Sequence, residues 1–155
     1  MKKNNFYFIV AVLVMFSYNQ VFSQQKTYDI KITVPEKDGV QVGKSKEIKG
    51  TASIPDGEFL WVLVHRVDGF IYVWWPQGEA EINPETKEWE LTVNFGQEQD
   101  IGFEFEIAVI TVDSREHSVL ENYLVNAMTS GDWRPIKMPP TQTAPIFRKQ
   151  LMKVE

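Results

Sequence analysis

The sequence of 155 residues contains no cysteine, which excludes a disulfide-stapled scaffold, a thiolate metal site and a cysteine nucleophile. Histidine is nearly as scarce. His65 and His117 are the whole supply, so a hydrolytic triad or a two-histidine metal site has to be built on them. Nine glycines and eight prolines are too few for a collagen-like or low-complexity polymer. Positive charge is the minority: 16 basic against 21 acidic residues give a net charge of −5. No Lys/Arg stripe with interleaved aromatics is present, and an acidic surface repels phosphate backbones. Nucleic acid and anionic membrane are therefore not expected partners. What is plentiful is apolar and aromatic character, 43% and 13% of residues, as in one aromatic-rich globular domain.

The first segment reads as an address. Lys2 and Lys3 precede an uninterrupted apolar run from Phe6 to Phe16, and Val21-Phe22-Ser23 supplies compact residues for a signal peptidase. That run is about half of the ~20 residues that span a hydrocarbon core, so a cleaved secretory leader over residues 1–23 is expected rather than an anchor. Removing Lys2 and Lys3 leaves 14 basic residues against 21 acidic ones, a net charge of −7 on residues 24–155. No later apolar stretch has membrane length, so no stable membrane insertion is expected after cleavage. A Gln-Gln start after a short Phe-rich leader resembles exported proteins of Gram-negative bacteria, which implies a periplasmic or extracellular location.

Along residues 24–155 the dominant period is two. Tyr28 to Val34 alternates and is stopped by Pro35 and Asp38-Gly39, as in an edge strand followed by a turn. Glu47 to Ile54 predicts a second strand. Phe59 to Val64 is apolar on both faces, the signature of a central strand covered on two sides. Asp68-Gly69 predicts a type I′ hairpin into a strand from Phe70 to Trp75. Ile82 is expected to start the next strand, with a turn at Asn83 to Lys87. Trp89, Leu91, Val93 and Phe95 then share one face. After a loop from Gly96 to Gly102, Phe103, Phe105, Ile107 and Val109 share another. Asp113-Ser114-Arg115-Glu116 predicts a helix start, and Leu120, Tyr123, Leu124, Ala127 and Met128 recur at helical spacing up to Gly131. Residues 132–145 hold four prolines and no period, an extended crossing before a last strand over Ile146 to Val154.

Seven or so short strands with regular turn signals predict a mainly β fold: an antiparallel immunoglobulin-like two-sheet sandwich with one α-helix inserted before the last strand. An open barrel is the competing architecture. The succession Ile48-Lys49-Gly50, Leu60-Trp61-Val62-Leu63-Val64, Trp75-Pro76-Gln77, Trp89-Glu90-Leu91 and Gly102 to Val109, with a helix and a Pro-rich return, resembles the small immunoglobulin-like modules of secreted or multidomain bacterial proteins. The resemblance spans residues 45 to 155, without the cysteine pair of antibody-type domains. It implies a fold and a binding or accessory role, with no catalytic residue to carry over.

The side chains with chemistry are few. His65 sits at a strand end beside Arg66 and Asp68, and His117 in the first helical turn. Neither lies in a nucleophile motif. Glu104 and Glu106 share a strand face about 7 Å apart, a glycosidase spacing only if they line a cleft, and otherwise a solvated face. Glu79, Glu81, Glu85, Glu88 and Glu90 crowd one turn, yet no calcium-loop motif accompanies them. The aromatic residues carry the functional hint. Trp74 and Trp75 are adjacent in a strand and point to opposite faces. One of them either packs under the helix against Tyr123 and Leu124 or forms an exposed platform with Tyr72 or Trp133, beside Arg134. The candidate binding surface is therefore Tyr72, Trp74, Trp75, Trp133 and Arg134, with Trp61 and Trp89 assigned to the core. No catalytic residue, metal or cofactor is assigned. The expected role is a non-enzymatic exported module that binds a protein partner or a glycan. A carbohydrate hydrolase, and a structural component adding an edge strand at Tyr28 to Val34 or Ile146 to Val154, are the alternatives. A glycan asks for polar side chains around the exposed Trp, a protein partner for an apolar rim.

Overall fold

The computed structural model describes residues 26–67 and 72–154. The expected leader and the Asp68-Gly69 hairpin turn lie outside the described residues. Alternating side chains in β1 (Asp29–Val34), β3 (Ser45–Ser53) and β6 (Glu88–Asn94) build an antiparallel sheet in the order β1-β3-β6. A larger sheet of order β2-β9-β7-β4-β5-β8 faces it. It combines β2 (Gln41–Val42), β4 (Glu58–Val67), β5 (Val73–Glu79), β7 (Glu104–Asp113), β8 (Ile136–Lys137) and β9 (Ile146–Lys153). Among the described strands β2 and β9 form the one parallel pair. The chain alternates between the sheets from β1 through β4, and changes again from β5 to β6 and from β6 to β7. The result is an immunoglobulin-like sandwich with helix α1 (Ser114–Ser130) inserted before the final strands.

Two apolar layers follow from the period of two. Leu60, Val62 and Val64 point between the sheets and share one cluster with Ile48 and Val93 of the smaller sheet and with Phe105, Ile107 and Val109 of β7. Trp61 and Leu63 point the other way, with Ala108, Ile110 and Val112, into a second cluster closed by Leu120 of α1. The helix is thus the reason that β4 is apolar on both faces. Each such buried side chain contributes roughly 1.5–3 kcal/mol. Gly50 makes one close approach possible: it is the cross-strand partner of Trp89, and a Cβ there would collide with the Lys31 carbonyl and the Trp89 indole.

Helix α1 begins where the sequence predicts. The Asp113 carboxylate accepts from the N–H groups of Arg115 and Glu116, both at 3.0 Å. Gly131 ends it in the left-handed region at φ 74°. Leu120 and Ala127 are buried, but Met128 is 68% exposed. One step beyond Ala127 turns the side chain about 100° around the axis, off the sheet-facing stripe.

Four expectations need correction. Strand β5 (Val73–Glu79) runs on through Pro76, past the end at Trp75 that the alternation suggests, with a register shift between Val62 and Leu63 where the proline meets β4; residues 70 and 71 of the expected strand lie outside the described residues. Ile82 starts no strand and lies in the connection to β6. The proline-rich crossing contains β8, paired with Val73 and Trp74. The last strand is not a free edge, because Gly39 donates to the Lys149 carbonyl, Met152 to that of Val40 and Val154 to that of Val42. Strand β1, by contrast, does end its sheet.

Candidate binding cleft

At one end the two sheets do not close on each other. Strand β5 places Trp75 opposite Val64, on the inner face of the larger sheet. There it meets Trp133, which follows the helix, across a cleft of about 450 Å³. This is within the usual size of small-molecule sites, ~300–1,000 Å³. Val64 and Phe105 form an apolar floor. Lys44, Asn94 and Gln97 stand at the rim, all exposed.

Side-chain hydrogen bonds outside the sheet ladders hold this shape. The Trp75 indole Nε1 donates to the Trp133 carbonyl at 2.9 Å, tying β5 to the post-helix segment. The Gln77 amide donates to the Trp75 carbonyl at 3.1 Å and accepts from the Asn94 N–H at 2.9 Å, so it bridges the two sheets at the mouth. On the opposite wall the buried Asp100 carboxylate receives the Arg66 guanidinium and the Gln97 N–H. Arg66 also lies over the Phe103 ring, 4.7 Å from its centroid. Lys153, 1% exposed, donates to the Gln97 carbonyl. Gly96 sits at φ 65°, and a Cβ there would run into the Asp100 carboxylate. The loop from Gly96 to Gly102 is therefore shaped around Asp100. A cleft whose walls are tied beforehand spends little ordering entropy on a ligand.

The sequence-predicted aromatic set divides between two faces. Trp75 and Trp133 share the cleft. Trp74, 2% exposed, belongs to the buried layer on the helix side, within 5.2 Å of His65 and 6.0 Å of Phe147 between ring centroids. It offers no platform. Tyr72, 77% exposed, stacks on His65 at 5.3 Å, on that same outer side. Arg134 is exposed and paired with Asp132 at 2.8 Å. Trp61 and Trp89 are core residues.

The titratable candidates lie elsewhere. His65 is buried, with Nδ1 2.8 Å from the Val73 carbonyl. Strand alternation sends Glu104 and Glu106 to the face opposite Phe105, so neither lines the cleft. His117 ties the helix to the sheet: it stacks on Phe59 at 3.8 Å and its Nδ1 accepts from the buried Trp61 indole at 3.2 Å. Glu121 at 3.3 Å and Glu79 at 3.8 Å flank the imidazole. Burial raises the pKa of Glu79 against the opposing pull of His117. Glu81, Glu88 and Glu90, but not Glu85, line an open depression with Lys49, whose ammonium contacts Glu47 at 2.7 Å and Glu90 at 2.9 Å; those two hydrogen bonds raise its pKa. Among the described residues no group of three or more His, Asp or Glu is arranged to hold a metal ion. No helix among them is long and apolar enough to cross a membrane.

Sequence reasoning did not find Lys44, Arg66, Asn94, Gln97 or Asp100. They come from separate stretches of the chain, and only Gly96 ahead of Asp100 hints at a shaped loop.

No family model and no curated protein matches the sequence. Among solved structures, one of murine CRIg pairs with the chain at TM-score 0.34 and 9% identity, covering 83% of this chain and 99% of that one. That likeness bears on neither the site nor its ligand.

Proposed function

We propose that this protein is an exported, non-enzymatic binding module that takes a glycan in the Trp75/Trp133 cleft. The observation that carries the reading is the pairing of two indoles, one anchored to the other's backbone, with the polar residues Gln97 and Lys44 in the same lining. Sugar rings present apolar C–H faces to aromatics and hydroxyls to groups that donate and accept, as a carboxamide such as that of Gln97 does. Lys44 and Gln97 beside the two indoles supply the polar groups that a glycan asks for. Export rests on the pattern of residues 2–23.

The test is a titration of ¹⁵N-indole-labelled protein with mono- and disaccharides, followed through the five tryptophan side-chain resonances. Trp75 and Trp133 should shift while Trp61, Trp74 and Trp89 stay in place. Shifts confined to the latter three, or none, contradict the reading. A second reading, addition of a strand to a larger assembly, is favoured by β1, which pairs on one side only. A concentration-dependent mass above the monomer that Trp75→Ala leaves unchanged would support it.

A further inference from the structure

We infer that the cleft selects saccharides that carry a carboxylate, such as uronic acid sugars, over their neutral counterparts, with Lys44 as the residue that sets the preference; this rests on the glycan reading above. The polar groups of the lining divide into those already committed and those free to meet a ligand. Asp100 is the one carboxylate among the described lining residues, and it is occupied by Arg66 and the Gln97 N–H. Both polar atoms of the Gln77 side chain are engaged, on Trp75 and Asn94. Asn94 enters the lining through its backbone N–H on Gln77, its side chain turned to the face opposite Val93, and the Gln97 side chain is set against the Asp100 N–H in a capping box. Left to meet a ligand are the rest of the Gln97 carboxamide and Lys44, which has no ion pair with a described residue.

Among the described residues the available set thus contains one cation and no anion. The charged residues described in the lining, Lys44, Arg66 and Asp100, sum to +1, in a chain whose net charge is −5. An amine-bearing sugar finds no carboxylate to pair with. A neutral sugar leaves the ammonium to water. A carboxylate on the ring replaces that water with a charge-assisted hydrogen bond while the ring lies against the tryptophans. The cleft volume of about 450 Å³ accommodates one or two rings.

The experiment is calorimetry on the full folded protein with matched disaccharide pairs that differ only at C6, carboxylate against hydroxymethyl, in the gluco, galacto and manno series. In at least one series the acid should bind about tenfold more tightly than its neutral partner, and raising salt from about 50 to 500 mM should erode that advantage. Lys44→Gln, at an exposed position, should abolish the preference, so that the acid and neutral members of a pair bind alike. Equal binding of acid and neutral members in every series, or a preference that survives Lys44→Gln, overturns the inference while Trp75-dependent binding of neutral sugars would preserve the glycan reading. Absence of binding in all series overturns both.

Discussion

Replacing each of two adjacent tryptophans by alanine should give unequal costs. Trp74 is 2% exposed and sits among Leu63, Ala108 and the rings of His65 and Phe147. Truncation leaves a cavity with no solvent to fill it, at a cost of about 3–5 kcal/mol. For a domain of this size each kcal/mol lowers Tm by roughly 3–5 °C, so Trp74→Ala should melt about 10–20 °C early. Trp75 is only half-buried at the cleft mouth. An indole buries about 200 Å² when enclosed, and half of that at ~25 cal/mol/Å² gives about 2.5 kcal/mol, of which the alanine methyl retains part. Loss of the bond to the Trp133 carbonyl brings the expected total to about 2 kcal/mol. Urea unfolding followed by far-ultraviolet circular dichroism reads both, with unchanged m-values confirming that the same surface is exposed. Equal costs, or a larger one for Trp75→Ala, would refute the assignment of the two rings to buried and open faces.

Gly96→Ala should cost about 2 kcal/mol and weaken ligand binding, because it forces a Cβ onto the Asp100 carboxylate at a positive φ; a variant as stable as the parent would contradict the shaped loop. Asp113→Ala removes the acceptor for two helix N–H groups and should cost about 1 kcal/mol by thermal unfolding, with the helix otherwise retained. Burial holds the Glu79 carboxyl above its ordinary pKa in the folded protein. The unfolded chain therefore loses this proton first, and the carboxylate reduces stability as pH rises through the folded value. Glu79→Gln should accordingly raise Tm slightly at pH 7 and leave it unchanged near pH 3; the opposite order would show that attraction to His117 dominates.

Much of the sandwich was legible because alternation survives in sequence. Trp89, Val93 and Phe95 read as one face and are buried in one cluster, with Leu91 packed against it, and the double-sided apolarity of β4 announced a cover that proved to be α1. Asp113 and Gly131 bounded that helix through local chemistry alone. The two-residue strands β2 and β8 were not legible, since they exist only through pairing with β9 and β5. Pro76 hid the second half of β5, because a register shift absorbs its missing N–H at a site that propensity disfavours. For the cleft, the sequence supplied Trp75 and Trp133 but also Trp74, Tyr72 and Arg134. Which ring of an adjacent pair faces the gap depends on how β5 registers against β4, and that pairing is set by residues far apart in the chain. Arg66 and Asp100 meet across 34 residues of chain, a juxtaposition that no local pattern encodes.

Whether the open end of the sandwich between Trp75 and Trp133 holds a glycan is decided by a glycan array probed with the parent protein and with a Trp75→Ala/Trp133→Ala variant whose folded state is verified by circular dichroism. A small set of glycans retained by the parent and lost by the variant is the expected result. Glycans retained equally by both, or none retained by the parent, would contradict a glycan site in this cleft.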